Sequence, residues 1–267
     1  MACDGGGSRE AATTTATATT TARIPTATTT TTTSTIIPTA TATSTGTPST
    51  TATTLYGTAF SGQYHLGPVD FAETEWHNAC APEGGYVSSL RESTGLSGEF
   101  LAGVQTGKIA GGANCDACIF ITTATGKSIL ARVVTYGDTG ANDLDVSPSV
   151  YAALNTGEYP RTTTWQWAKC PDTGKLSYEF QTGANVWWTS LWVRNPRVPI
   201  TKVEVKSKNH ANYITLARAS DGTVTDASGF GDGAFTLRVT ASDGQTITDS
   251  FSSFTPGKIL ASTQQFQ

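Results

Sequence analysis

Three of the chain's six tryptophans, Trp187, Trp188 and Trp192, lie within six consecutive positions. Large aromatic side chains on or near a strand have two uses, because they either fill a core or lie flat on a surface as a stacking platform. A flat, exposed ring suits a sugar, whose axial C–H face is apolar while its equatorial hydroxyls are polar. Residues 174–195 are therefore the first candidate site of the chain.

The face on which these indoles lie depends on where the strand begins. If the stretch alternates with a period of two, Trp187 shares one face with Leu191, and Trp188 lies on the other. Trp187 then fills the core. If residues 182–185 turn the chain and the strand begins later, Trp187 and Trp188 share an exposed surface. The sequence leaves both interpretations open.

Residues 1–54 differ in composition from the rest of the chain. Between Ala11 and Thr54, 24 of 44 residues are threonine, and most others are alanine, serine or proline. Such a segment has little apolar surface to bury and cannot offset the entropy that it loses on ordering. We therefore predict a disordered, Thr-rich linker or stalk over 1–54.

The rest of the chain is rich in glycine, threonine, valine and aromatic residues, and long helical periodicity is hard to find, which predicts an all-β fold. Over 55–170, short strand-like runs surround one brief helix that Ser147 would cap and Pro148 would begin. This pattern indicates a small closed barrel. Its predicted strands are 55–60, 86–90, 100–104, 119–122, 129–135 and 163–168.

The pattern changes after Cys170. Strand-like runs now recur at short intervals, separated by turn signals such as Asp221-Gly222 and Asp243-Gly244. This spacing predicts a β-sandwich over 171–267. The predicted strands are 176–181, 187–194, 200–206, 213–218, 234–240 and 245–251.

Charge limits the possible partners. The net charge is −4. Residues 55–170 carry 6 basic and 11 acidic side chains, whereas residues 171–267 carry 9 and 8. Neither half has the basic surface of a nucleic-acid-binding protein. The acidic first half also argues against polyanions such as pectate, so a neutral polymer is the expected partner.

Neither a transmembrane segment nor a cofactor site is visible in the sequence. No apolar run is long enough to cross a membrane, and no hydrophobic signal region is present. There is no phosphate-binding glycine loop and no histidine cluster. His65, His77 and His210 are scattered, and we interpret them as surface or satisfied residues. No cofactor is therefore expected.

Four of the five cysteines, Cys80, Cys115, Cys118 and Cys170, lie in the predicted barrel. An even number in a stalked, Thr-rich chain indicates two disulfides, for which three pairings are possible. A four-cysteine zinc site is the alternative, because Cys115 and Cys118 have the local spacing of zinc ligands. Cys3 is either a lipid anchor that follows a trimmed signal peptide or a stray thiol at the terminus.

Three motifs carry a resemblance to a known family: GANVWWTSLWVRNPRVP in the second half, and LDVSPSVYAAL and CDACIFIT in the first. Over 55–267 the chain resembles microbial expansins. The resemblance implies a six-stranded double-psi β-barrel followed by an immunoglobulin-like β-sandwich. It implies a secreted protein that loosens plant cell walls by disrupting cellulose contacts without hydrolysis. The implied partner is cellulose, or a related neutral β-glucan or hemicellulose, and we expect a monomer.

The resemblance also implies individual site residues. In the barrel groove these are Thr58, Tyr136 and Asp145, of which Asp145 matches the family's essential carboxylate. In the sandwich they are the stacking pair Trp187 and Trp188.

At three other positions the chain departs from the family pattern. Thr135 stands where the family has a groove aspartate, which Asp138 could replace. Gln181 stands where the family has a groove-side lysine. The third platform aromatic falls near Asp221, and Tyr213, the nearest aromatic, is the candidate replacement or else a core residue.

Hydrolysis of a glycoside normally needs two carboxylates on opposite sides of the bond. Asp145 could supply one, although it could also simply favour the N-terminus of the helix that follows. Asp138 and Asp143 are expected on the same wall as Asp145, and residues 55–63 contain no Asp or Glu. The missing base favours binding and disruption over catalysis. The alternatives are an endoglucanase or peptidoglycan-lytic enzyme on the same barrel, and a purely carbohydrate-binding surface protein.

Overall fold

The computed structural model describes residues 53–67, 79–80, 100–171 and 174–267. These residues form fifteen strands and one α-helix, so the all-β prediction is confirmed. Four predictions lie outside the described residues: the disordered stalk over most of 1–54, the role of Cys3, the surface position of His77 and the strand at 86–90.

Six strands and the helix form the first half of the described fold. The strands close into a barrel in the order β1-β5-β2-β4-β3-β6, in which the β1–β5 and β2–β4 pairs are parallel and the others antiparallel. The elements are β1 (Leu55–Leu66), β2 (Leu101–Gln105), β3 (Cys118–Thr123), β4 (Ser128–Gly137), β5 (Leu144–Val146), α1 (Pro148–Leu154) and β6 (Thr162–Ala168).

Alternating side chains fill the barrel, as the period of a strand requires. Leu144 and Val146 on β5 point inward with Ala102 and Val104 on β2, and all four are fully buried. Because these residues face the core, the positions between them face outward. Ser147 does not cap α1 with its side chain as predicted, since its hydroxyl accepts a hydrogen bond from the Leu101 amide.

Nine strands form the second half of the fold, in two facing sheets. One sheet has the order β10-β9-β13-β14 and the other β11-β12-β8-β7-β15. The strands are β7 (Ser177–Phe180), β8 (Thr189–Arg194), β9 (Ile200–Lys206), β10 (Ile214–Thr215), β11 (Ala217–Arg218), β12 (Val224–Asp226), β13 (Phe235–Ala241), β14 (Thr246–Phe251) and β15 (Ile259–Ala261).

An aromatic core lies between the two sheets. Phe180 stacks on Phe254 at 4.5 Å between ring centroids and meets Phe230 and Phe235 edge-on. Such pairs stabilise a core beyond the area that they bury. The barrel-then-sandwich order therefore agrees with the prediction, whereas the domain boundaries at residues 54 and 170 stay predictions.

Two disulfides, Cys80–Cys115 and Cys118–Cys170, connect distant parts of the barrel half. They select one of the three pairings that the sequence left open. The zinc alternative is wrong, since all four sulfur atoms are bonded in pairs. No helix among the described residues has the length and apolar character of a membrane span.

Candidate functional site

Trp187 and Trp188 are both exposed, with 76% and 38% of their surface accessible, whereas Trp192 is buried. The reason is that β8 begins only at Thr189, so the two indoles lie in the turn before it. The interpretation in which the chain turns and the strand begins late is therefore correct. The strict alternation that placed Trp187 in the core is wrong.

The side chain of Asn185 holds this turn. Its Oδ1 atom accepts hydrogen bonds from the Trp187 amide at 2.9 Å and from the Trp188 amide at 3.1 Å. The backbone N–H of Asn185 donates to the Trp188 carbonyl at 2.7 Å. An Asn side chain that bonds backbone groups two and three residues ahead mimics a backbone turn. The two indoles are therefore presented by a fixed loop.

A second loop supports the turn from behind. Gly229 has a φ of +69°, and a Cβ atom built there would lie 2.3 Å from the Val186 carbonyl oxygen and 2.5 Å from the Trp187 carbonyl carbon. Only glycine fits such a close approach in this conformation. The Gly231 amide also donates to the Val186 carbonyl at 2.9 Å.

Gln181 follows β7 and is half-buried. The register pairs Phe180 with Leu191, and both residues belong to the sandwich core. The Gln181 backbone amide donates to the Ser190 carbonyl at 3.0 Å, and Ser190 itself is buried, with its hydroxyl 2.8 Å from Thr225 Oγ1. A place for Gln181 beside the indole pair therefore stays a prediction.

Tyr213 is not the third member of this surface. It directly precedes β10 in the four-stranded sheet, whereas the indole pair precedes β8 in the five-stranded sheet. Its ring is half-buried, with the Arg238 guanidinium carbon 4.0 Å from the ring centroid. At Asp221, near which the family's third aromatic falls, the backbone carbonyl accepts a hydrogen bond from Nε1 of the buried Trp192 at 3.2 Å.

On the barrel, four residues form a row across four adjacent strands: His65, Asp145, Gly103 and Thr135. Asp145 is paired with His65 on one side and with Gly103 on the other, and Gly103 is paired with Thr135. All four face outward, because their neighbours on β5 and β2 point into the core. With about 4.8 Å between strands, this barrel row is about 14 Å long.

Gly103 is buried between Thr135 and Asp145. A Cβ atom built there would lie 2.8 Å from Thr135 Cγ2 and 3.6 Å from Asp145 Cβ. The position therefore has no room for a side chain, and glycine lets Thr135 and Asp145 pack close to the β2 backbone.

Asp145 has a raised pKa. Partial burial is the main cause, the nearby Asp143 carboxylate raises it further, and His65 acts in the opposite direction. Asp143 accepts a hydrogen bond from the Gln63 amide at 2.8 Å and lies 3.4 Å from His65 Nε2. The two carboxyl groups and the imidazole therefore form one interacting cluster.

The sequence interpretation missed His65, which it treated as a scattered surface histidine. The local sequence does not indicate that His65 lies on a strand, since β1 runs six residues beyond its predicted end at Phe60. Only the parallel pairing of β1 with the short strand β5 brings His65 beside Asp145.

The other predicted groove residues lie away from the barrel row. Thr58 is exposed on the first half of β1, seven positions before His65 along the strand. Tyr136 packs half-buried against the barrel core, on the opposite side of β4 from Thr135. Asp138 is exposed beyond the end of β4 and does not replace the missing aspartate beside Asp145. Within the part of the chain that the structure describes, no three His, Cys, Asp or Glu side chains are grouped as metal ligands.

Comparison with known proteins matches the chain to expansins and expansin-like proteins. No family model matches the chain. Expansin-like protein 6 of Dictyostelium discoideum is 26% identical over 170 residues, covering 58% of this chain and 56% of that protein. Expansin-YoaJ of Bacillus subtilis is 25% identical over 125 residues, or 46% of this chain and 53% of that protein. The matches thus span about half the length of these curated relatives.

Solved structures give the same result for the fold. The apo expansin of Clavibacter michiganensis superposes with a TM-score of 0.63, at 19% identity, over 79% of this chain and 98% of that one. A mutant of that expansin in complex with cellohexaose gives the same TM-score at 18% identity. The chain therefore resembles expansins and expansin-like proteins in sequence and shares the expansin fold.

Proposed function

We propose that the chain binds cellulose or a related neutral β-glucan and loosens its packing without hydrolysing it. The observation that carries this proposal is the exposed pair Trp187 and Trp188, fixed in one turn by Asn185. Two rings held in place lose little entropy when a sugar chain stacks on them. The cellohexaose complex of the Clavibacter expansin supports this choice of ligand. We further propose that the protein acts outside the cell, as a monomer.

The barrel row suits a role in disrupting contacts between glucan chains. Asp145, His65 and Thr135 offer acceptors and donors along one outward-facing line. Sugar hydroxyls that bond to these groups are withdrawn from their bonds to neighbouring chains. Since the sandwich holds the chain by stacking and the barrel row competes for its hydroxyls, no covalent bond has to break.

Asp145→Asn is expected to abolish loosening without destabilising the fold. Burial raises the Asp145 pKa above its ordinary value of 3.8, so the ionised carboxylate costs folding free energy at neutral pH. That cost develops as pH rises from the ordinary pKa through the raised pKa, and it is absent below both pKa values, where the carboxyl group is protonated in the folded and the unfolded state. The variant should therefore melt at or above the parent's temperature at neutral pH, and this advantage should vanish below about pH 3. Filter-paper weakening and thermal melts at both pH values test this, and a lower neutral-pH melting temperature would contradict it.

A hydrolase is the second candidate, because Asp143 lies in the same cluster as Asp145. Glycosidases usually use two carboxyl groups in different environments as their catalytic residues. However, the two residues are two positions apart on one strand segment, and Asp143 is bonded to the adjacent strand β1. They therefore occupy one wall instead of flanking a bond. Sugar release from amorphous cellulose or peptidoglycan that disappears in Asp145→Asn would favour the hydrolase.

Asn185→Ala is expected to weaken cellulose binding although Asn185 touches no sugar in this proposal. The change removes both hydrogen bonds that fix the Trp187 and Trp188 amides. We expect the dissociation constant to rise about three- to tenfold, since the indoles must then be ordered on binding. Asn185→Asp, which keeps the accepting oxygen, is the control and should bind nearly as well as the parent. Adsorption isotherms on cellulose measure both, and equal affinity of Asn185→Ala and parent would contradict the role.

A further inference from the structure

The loop that leads into β6 lies next to the His65 end of the barrel row. The β1–β6 register pairs Gln63 with Thr162, and the Tyr64 amide donates to the Arg161 carbonyl at 3.1 Å. Arg161 is therefore hydrogen-bonded to the residue that directly precedes His65. Tyr159 precedes Arg161 by two positions in the same loop.

Tyr159 is the most exposed large hydrophobic side chain among the described residues, with 85% of its surface accessible. Its neighbour Arg161 lies between two rings, with the guanidinium carbon 5.0 Å from the Tyr151 centroid and 5.9 Å from the Tyr159 centroid. Because Tyr151 is on α1, the cation connects the exposed ring to the helix. An aromatic ring held in this way offers a face to a ligand without contributing to the core.

We propose that Tyr159, with Arg161 beside it, is a further glucan-binding position at the His65 end of the barrel row. This inference rests on the proposed function, since the ligand is the same neutral β-glucan chain. The Tyr159 ring stacks on the apolar face of a sugar, and the Arg161 guanidinium donates hydrogen bonds to its hydroxyls.

The direct test follows the Tyr159 ring in the intact chain. Tyrosines are replaced by 3-fluorotyrosine, and the fluorine resonance that is missing from Tyr159→Phe identifies Tyr159. Cellohexaose is then titrated into the full-length protein. We expect the assigned resonance to shift saturably. A resonance that stays fixed while tryptophan fluorescence reports saturation would overturn the proposal.

Adsorption to amorphous cellulose gives the second measurement. Tyr159→Ala should weaken binding about three- to tenfold, and Tyr159→Phe, which keeps the ring, should bind like the parent. Ile259→Ala is the matched control, because Ile259 is also exposed but lies on the sandwich strand β15. Since Tyr159 is almost fully exposed, none of these changes should alter the melting temperature.

The same assays separate this proposal from the function on which it rests. If the parent binds cellulose, the Trp187→Ala and Trp188→Ala double variant does not, and Tyr159→Ala binds like the parent, only the Tyr159 position is wrong. If the parent binds neither cellulose nor cellohexaose, both the proposed function and this position are overturned.

Discussion

Replacing both exposed indoles, as Trp187→Ala with Trp188→Ala, should abolish adsorption to cellulose and leave the melting temperature nearly unchanged. Each stacked ring is expected to contribute ~1–2 kcal/mol. Losing two such contacts raises the dissociation constant about thirtyfold to several hundredfold, which takes binding below detection in a pull-down assay. Stability should not suffer, because most of the Trp187 surface and over a third of the Trp188 surface are already in water. Cellulose pull-down beside a thermal melt measures both effects.

Two further variants make the double substitution interpretable. Trp192→Ala removes the third indole of the motif, which is buried and donates to the Asp221 carbonyl, so it should lower the melting temperature strongly. Trp187→Phe with Trp188→Phe keeps two flat rings and should retain part of the binding. If the Ala double variant melts far below the parent, the two rings belong to the core and the binding surface lies elsewhere.

The exposure of these indoles shows where the alternation of a strand sequence fails to predict which way a side chain faces. Alternation gives correct strands wherever one face is buried, as β13 illustrates with four buried and three half-buried residues in strict order. It fails at Trp187 because the Asn185 side chain closes a turn that alternation does not encode. The sequence nevertheless contains the signal, since Gly183 and Asn185, which precede the indole pair, indicate a turn.

The shortest strands were the hardest to predict in both halves of the fold. The fifth strand of the barrel, β5, has three residues, and β12 and β15 in the sandwich are equally short. A strand of three residues is too short to show a periodic sequence pattern. It forms because longer neighbouring strands pair with it. The barrel row depends on this pairing, so His65 could not be joined to Asp145 from local sequence.

A buried cation connects the sandwich to the barrel. Arg194 on β8 is almost fully buried and bonds Glu179 on β7 through Nε at 3.0 Å. Its Nη1 atom reaches the barrel half, where it bonds the Asp116 carboxylate at 3.2 Å and the Cys80 carbonyl at 3.3 Å. Its guanidinium carbon also lies 4.8 Å from the Trp192 ring centroid. Arg194 therefore compensates two buried carboxylates at once.

Arg194→Ala is expected to destabilise the protein by about 3–5 kcal/mol, because it leaves buried carboxylates without this cation. For a chain of this size the melting temperature should fall by about 6–20 °C. Burial already raises the Glu179 pKa, and Arg194 opposes that rise, so its loss should raise the pKa further. The deficit should therefore be largest at neutral pH and shrink as pH falls and Glu179 becomes protonated. Thermal melts across pH measure both the size and the direction of the effect.

Arg238→Ala is the matched control for this experiment. Arg238 makes a two-pronged ion pair with Glu204 at 2.8 Å, but Arg238 is itself half-exposed, so water screens its charge. Its loss should lower the melting temperature far less than the loss of Arg194.

Arg194 is also linked to the barrel row through the backbone of residues 79 and 80. The Ala79 amide donates to Thr135 of the barrel row, and the carbonyl of the next residue, Cys80, accepts from Arg194. Arg194→Ala should therefore also reduce loosening more than Arg238→Ala does at a temperature where both variants are folded. Equal melting temperatures for the two variants would mean that the buried cation does not hold the two halves together.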